Sequence, residues 1–317
     1  MYRNPRAAAA QNSSPCSHCP SPPWEPAKRT LHHFLQVVGK VRKARMPARN
    51  HWWNLTLYVD PWGLTTRGMP LDDDGGQLEI RLDLVDHRLE VITSYDASES
   101  FRLEEGLSVA DFYHRLNALL DRVGAATPIL ARPFDLETTR PFAELTDVAD
   151  YDPAAVATFF HALRWVDGVL KEFAANFYGK TCPVQLYWHH FDLVVTRFSG
   201  RPAPPMPPTA PALERDAYSH EVISFGFWPG DENVREAAFY SYTYPAPEGL
   251  TDEPLRPAAA RWIDSNGNPQ AFLPWADVVE ADHPREALLD FLQSAYIAGA
   301  RRAGWDVDEL QYESFDG

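Results

Sequence analysis

At 317 residues, with 45% hydrophobic and 13% aromatic side chains, the chain can bury one large core or two moderate ones. A formal net charge of -15 disfavours nucleic acid as a partner for the body of the protein. No run is long and apolar enough to span a bilayer, and residues 7–10 are too short for a secretory h-region. The three cysteines, Cys16, Cys19 and Cys182, are too few for a disulfide framework and point to a reducing, cytoplasmic setting.

Residues 1–23 are rich in Ala, Ser, Pro and Asn and have little to bury, so a disordered tail is expected. Cys16-Ser17-His18-Cys19 has the spacing of half a zinc site, but a closed site needs four ligands and no second half follows. Residues 1–49 carry nine Lys/Arg against one acid, Glu25. That is +8, which leaves -23 for the rest. Within this stretch Leu31, Phe34, Leu35, Val38 and Val41 recur at helical spacing until Pro47. This basic helix has two expected uses: docking on the acidic body, or binding an external anion.

A strand is expected over residues 54–59, interrupted by Asp60-Pro61-Trp62-Gly63. Asp72-Asp73-Asp74-Gly75-Gly76 is a solvated turn. Residues 78–85 and 88–95 form a hairpin around Asp86-His87, with Leu78, Ile80, Leu82 and Leu84 on a buried face. A short strand at 101–104 follows. Ser108 then caps a helix whose stripe is Phe112, Leu116, Leu119, Leu120 and Val123.

Residues 125–150 read as a connector. Asp152-Pro153 starts a long helix with Phe159, Phe160, Leu163, Val166, Leu170, Phe173 and Phe177 inside, expected to be the central one. Residues 184–197 are a long strand or a kinked pair of strands. The proline-rich insertion 202–211 is a stiff surface loop, strands follow at 221–227 and 239–244, and a final helix begins near Pro284.

The chain repeats itself. Leu57-Tyr58-Val59-Asp60-Pro61-Trp62-Gly63-Leu64 aligns without a gap on Leu186-Tyr187-Trp188-His189-His190-Phe191-Asp192-Leu193. The residues around each copy read as α-β-β-β-β-α. The expected class is therefore α+β: two pseudo-repeats, residues 24–124 and 151–310, with antiparallel sheets covered by helices. A groove between such halves is a common ligand site.

Several blocks resemble a bacterial family known as a domain of unknown function (number 5996): Val38-Gly39-Lys40-Val41-Arg42, Asn50-His51-Trp52-Trp53, Gly63-Leu64-Thr65-Thr66, Val85-Asp86-His87-Arg88-Leu89, Thr196-Arg197-Phe198-Ser199-Gly200-Arg201, Ala217-Tyr218-Ser219-His220-Glu221-Val222 and Gly226-Phe227-Trp228-Pro229-Gly230. The resemblance spans roughly residues 25–310. It implies membership of an uncharacterised family and supplies no activity, cofactor or functional residue.

Candidate chemistry rests on the residues themselves. His190-Phe191-Asp192, read on a strand, converges an imidazole and a carboxylate on one face, with His220 as a possible third metal ligand. His220, beside Glu221, is also a candidate general base. His51-Trp52-Trp53 places one indole in the core and one where it can stack on a planar ligand; Trp188, Trp228, Tyr240 and Tyr242 would extend an aromatic cleft. Lys40, Arg42 and Arg197 are the candidate anion-binding cations, Arg197 with a carboxylate partner expected from another strand. Motifs for nucleotide phosphate, dinucleotide, serine-hydrolase and zinc-protease sites are missing. The expected function is binding of a small planar or anionic ligand in an aromatic groove between the repeats. The alternatives are a metal-dependent enzyme built on the His-x-Asp unit and a protein-interaction scaffold. Cofactor and oligomeric state are unassigned.

Overall fold

A computed structural model describes residues 24–231 and 234–311. The Cys16–Cys19 motif lies outside them. The first helix, α1 (Glu25–Arg45), starts earlier than its apolar stripe suggests, because Pro26 occupies its first turn, where a missing N–H costs nothing. Of its 21 residues, 14 are buried. Three of its six cations, Lys28, Arg42 and Arg45, meet main-chain oxygens. Lys28 donates to the carbonyls of Pro229 (3.3 Å) and Gly230 (3.0 Å), and Arg45 to those of Pro70 (3.0 Å) and Ala125 (2.6 Å). The basic helix is therefore docked, on carbonyls and, through Arg29 and Asp150 (3.4 Å), on an acid of the body.

The first sheet contains β1 (Tyr58–Val59), β2 (Gly63–Thr65), β3 (Met69–Pro70), β4 (Gln77–Asp83), β5 (Arg88–Thr93) and β6 (Ser98–Arg102). Its antiparallel order is β1-β2-β4-β5-β6, with β3 also paired to β4. Helix α2 (Val109–Arg122) follows, capped by Ser108, whose Oγ accepts from Asp111 N at 3.0 Å. The long α3 (Pro153–Ala175) is capped by Asp152 and packs against α1, so the centre holds two helices rather than the expected one.

The second sheet contains β7 (Gln185–Tyr187), β8 (Asp192–Pro202), β9 (His220–Trp228), β10 (Ala238–Tyr244), β11 (Arg261–Ser265) and β12 (Asn268–Pro274), in the antiparallel order β7-β8-β9-β10-β12-β11. Helices α4 (Ala212–Ala217), α5 (Trp275–Val279) and α6 (Pro284–Arg302) complete the chain. The protein is α+β, and each sheet holds six strands, two more than the four expected. The hairpin β11–β12 and α5 fall where sequence patterning assigns nothing.

The sheets meet edge to edge. Leu57 N donates to Leu186 O at 2.9 Å, and Leu186 N donates to Leu57 O at 2.8 Å. These two leucines are the first residues of the two eight-residue segments that align in sequence. A single core joins both halves, with Phe34 stacked on Tyr151 at 6.0 Å and Trp24 on Phe159 at 4.9 Å. None of the helices among the described residues is long and apolar enough to cross a membrane.

Two local features of the backbone matter for the site. The segment before β1 is not extended: residues Asn50–Trp52 form a short 3-10 turn, and His51 (φ 57°) and Trp52 (φ 58°) are both left-handed. Two consecutive non-glycine residues in that region cost roughly 1–3 kcal/mol each and persist only where surrounding contacts hold them. The second is at residues 188–191, where the chain turns with Phe191 at φ 61°, so that of the two forms expected for 184–197 it is the kinked pair of strands, β7 and β8, that is present.

Candidate functional site

The left-handed turn presents His51, Trp52 and Trp53 to the second half of the chain. His51 is buried. Its Nδ1 lies 3.3 Å from the carbonyl oxygen of Ala217 and its Nε2 lies 2.6 Å from Lys180 Nζ. A carbonyl can only accept, so Nδ1 carries the proton and Nε2 offers its lone pair to the lysine. Burial, and next the Lys180 charge, lower the imidazole's proton affinity and keep the ring neutral.

Lys180 is exposed at the surface, yet its ammonium sits over two aromatic faces, 4.5 Å from the Phe198 centroid and 5.4 Å from that of Trp53. Its pKa is also lowered, first by desolvation and then by Arg49. Arg49 lies over Trp53 at 5.1 Å, and Lys43 over Trp52 at 5.5 Å. Among the described residues, none of Lys43, Arg49 and Lys180 has a carboxylate within 4.0 Å. Asp216 is the acid whose charge acts on both His51 and Lys180, from beyond that distance. The roof is α4, at the end of the proline-rich insertion, where Leu213 O accepts from Trp52 Nε1 at 3.2 Å.

His220 joins this cluster, its ring edge-on to His51 at 5.5 Å. Among the described residues no carboxylate is hydrogen-bonded to it. Its Nδ1 meets Ser219 Oγ at 3.1 Å, so the general-base arrangement with an acid partner is not formed. Neighbouring Glu221 is committed elsewhere, accepting from Ser199 Oγ at 2.8 Å and pairing with Arg201 at 2.7 Å.

The expected His-x-Asp unit is overturned. Because the chain turns at Phe191, the strand rule that puts alternate residues on one face does not apply. His190 is exposed and meets Asp135 at 3.0 Å. Asp192 is buried and accepts from the Tyr240 hydroxyl. Burial raises the Asp192 pKa, and its Oδ1 lacks a partner among the described residues. No group of three or more His, Cys, Asp or Glu among the described residues is placed to hold a metal.

Tyr240 reaches Asp192 by lying flat over Gly226, where an added Cβ would fall 2.4 Å from the ring. Tyr242 stacks parallel to Tyr240 at 6.3 Å, and Tyr218, one residue beyond α4, covers Tyr244 at 4.7 Å. A half-buried tyrosine row thus extends along the second sheet from the His51 cluster. Trp188 is not part of it: it packs on Gly39 of α1, under Lys40, whose Nζ is 5.6 Å from its ring. Trp228 closes the far end of β9.

The remaining cations stand apart. Arg42 is buried, lies 5.4 Å over Tyr58 and donates to Thr66 O. Arg197 is 1% exposed and, contrary to expectation, has no carboxylate partner among the described residues. Instead Phe173 (3.6 Å), Tyr296 (4.5 Å) and Phe177 (4.9 Å) surround its guanidinium, and Nη2 donates to Phe173 O at 2.5 Å. Two open depressions, of about 550 and 390 Å³, lie elsewhere, around Trp305 and Trp262.

Of the ligand candidates, His51, Trp52, Trp53 and His220 come together; Lys40, Arg42, Arg197, Glu221 and Trp228 do not, and Tyr240 belongs to the adjoining tyrosine row. Arg49, Lys180 and Phe198 were not singled out by sequence. Phe198 could have been found by its parity against Arg197 on β8; an isolated lysine in a linker carries no such signal.

A family model described as "Family of unknown function (DUF5996)" matches residues 17–312. The chain belongs to this family. No curated protein and no solved structure matches it.

Proposed function

We propose that this protein binds a small planar anion, such as an aromatic or conjugated carboxylate, between the His51–Trp53 turn and the Lys180–Phe198–His220 surface. One observation carries the reading. In a chain of net charge -15, Lys43, Arg49 and Lys180 gather over Trp52 and Trp53 without an acid within ion-pair distance among the described residues. A cation left on an aromatic face retains its pull on an anion, and the indoles supply a flat apolar surface for its ring. The strained His51–Trp52 backbone is the kind of local cost that functional sites retain.

The site draws on both halves, which we infer to be copies related by a pseudo-twofold axis. The reciprocal Leu57–Leu186 bonds support this, because equivalent residues pair across such an axis. A reducing, cytoplasmic setting agrees with the free, buried Cys182 thiol, which burial pushes up to about 11. The net charge of the body favours a small ligand over nucleic acid.

The test is titration of tryptophan fluorescence, together with thermal shift, using benzoate, phenylacetate and uncharged benzamide. The carboxylates should quench and stabilise, less so at high salt, whereas benzamide should do neither. Arg49→Met with Lys180→Met should weaken carboxylate binding about 10-fold or more, the equivalent of roughly 1.4 kcal/mol. Equal responses to benzamide and benzoate would overturn the reading.

A further inference from the structure

We propose that Lys180 is a nucleophilic amine that forms a Schiff base with an aldehyde- or 2-oxo-bearing anion, and that His51 handles the proton. The inference rests on the anion-binding reading above and names the reactive group that such a ligand would carry.

The geometry has four parts. The amine is reachable, since Lys180 is exposed while its partner is buried. Its hydrogen-bond acceptor is a neutral imidazole lone pair at 2.6 Å rather than a carboxylate, so the proton on Nζ has a base to go to. A carboxylate partner would instead hold the lysine as ammonium. The aromatic walls of Phe198 and Trp53 desolvate the group, and the Arg49 cation beside it acts the same way, favouring the free amine. Finally, those π faces suit the product, because a protonated imine keeps the positive charge at the place the ammonium held it.

The other lysines lack this combination. The chain has only five: Lys28, Lys40, Lys43, Lys171 and Lys180. Lys28 is tied to Glu25 at 2.7 Å and to two carbonyls; Lys171 is paired with Asp167 at 2.5 Å; Lys40 is buried on Trp188. Lys43 is exposed on Trp52 but is not hydrogen-bonded to any base.

The step balances without an outside oxidant or reductant. The Nζ lone pair attacks the carbonyl carbon, and the C=O π electrons move to oxygen. His51 Nε2, having taken one proton from the Lys180 ammonium to free that lone pair, gives it to the oxygen, then takes a second from the carbinolamine nitrogen and gives it to the hydroxyl. That oxygen leaves as water while the nitrogen lone pair forms C=N. The ligand carboxylate lies toward Arg49 and Lys43.

The experiment uses the full chain and phenylglyoxylate, with sodium cyanoborohydride to trap any imine as a stable amine, read by peptide mass mapping. Phenylacetate, which has the carboxylate and ring but no carbonyl, is the parallel binding probe. The expected result is one adduct, on Lys180, formed at least about 10-fold faster than on Lys43 and suppressed by phenylacetate. Lys180→Arg should form no adduct even at saturating phenylglyoxylate. His51→Asn, a residue that tolerates the left-handed backbone, should form the adduct about 10-fold more slowly or worse at saturating phenylglyoxylate, where a change in affinity no longer affects the rate. Phenylacetate binding with no adduct, or labelling spread evenly over Lys43 and Lys180, overturns the Schiff-base proposal and leaves the anion site standing. Loss of both phenylacetate binding and adduct in the unaltered protein overturns both readings. An unchanged rate in His51→Asn overturns the proton role of His51.

Discussion

Arg197 and Lys180 are the same physical device in two settings. Both hold a cation against aromatic faces with no carboxylate partner within ion-pair distance among the described residues, and burial lowers the pKa of both, that of Arg197 to about 9. Arg197 and Phe198 are neighbours on β8, so they point to opposite faces of the sheet. On one face the guanidinium is enclosed by α3 and α6 and donates to Phe173 O, close to the C-terminal end of α3. A helix C-terminus carries a partial negative charge that suits a cation. On the other face Phe198 walls an ammonium that is open to solvent and bonded to a titratable base. The first arrangement spends Nη2 on a helix carbonyl and, at 1% exposure, closes the cation off from a ligand. The second leaves charge and a base in reach of one. Access and the nature of the acceptor, rather than the presence of a cation–π contact, separate a structural cation from a functional one.

That contrast can be broken most directly at the enclosed end. Arg197→Ala should cost about 3–5 kcal/mol in urea unfolding, because it opens a cavity under α3 and α6 and removes the donor to Phe173 O. Arg197→Met, which refills the space without the charge, should cost far less, since a buried charge without a carboxylate is itself expensive. A loss under about 1 kcal/mol for Arg197→Ala would mean that the enclosure is not a packed element of the core.

Histidines extend the comparison to pH. His32 donates from Nε2 toward both Trp188 O (3.0 Å) and His189 O (3.1 Å), pinning the turn between β7 and β8. Burial lowers both His32 and His189 to about 3. The unfolded chain therefore binds protons below pH 6.5 that the folded chain refuses until about pH 3. With more protons bound by the unfolded state, stability falls as pH falls through that window. The expected loss between pH 6.5 and 4.5 is on the order of 2–3 kcal/mol for the pair, after discounting for rings that are only half-buried. Chemical denaturation across that range, with and without His32→Asn and His189→Asn, checks it; a flat profile in the unaltered protein breaks the account.

At the tyrosine row the sign reverses. Asp192 has a raised pKa, so over the interval above the ordinary carboxylate value the folded state holds a proton that the unfolded state has lost, and stability falls as pH rises there. Tyr240→Phe removes the one hydroxyl that satisfies this acid and should cost about 1–2 kcal/mol. The cost should grow above that interval, where the carboxylate must ionise unaided. Denaturation at two pH values tests both the size and the direction.

Legibility followed the physics of each element. The stripe of α3, the alternation of β4 and the Ser108 cap rest on local periodicity and were readable from the sequence. The break at 188–191 was readable only as an alternative, a kinked pair of strands, because it depends on Phe191 adopting a positive φ that its residue type does not announce. That single dihedral separates His190 from Asp192 and with them the apparent metal unit. His51, Trp52 and Trp53 were recognised as a candidate group, but an extended backbone was assigned to them where the fold holds two left-handed residues. Lys180 and Arg49 were invisible for a different reason. Their meaning comes from Phe198, Trp53 and His51, which converge only in three dimensions, and from the acids that are not beside them.

The smallest expected effect is the one that sharpens the comparison most. Lys180→Met should change stability by no more than about 0.5 kcal/mol, because an exposed side chain that makes no ion pair contributes little to folding. Methionine keeps the unbranched stem that covers Phe198 and Trp53, so packing is largely retained. His51 keeps its bond to Ala217 O and exchanges the lysine for water. Equilibrium denaturation of this variant beside Arg197→Met then measures two cation–π sites on one strand's opposite faces. If Lys180→Met were as costly as Arg197→Ala, the Lys180–His51 contact would belong to the scaffold and the open site would lose its distinguishing feature. A near-neutral result means that the cluster of cations, the strained turn and the neutral imidazole are not explained by stability, which leaves ligand chemistry as their physical reason.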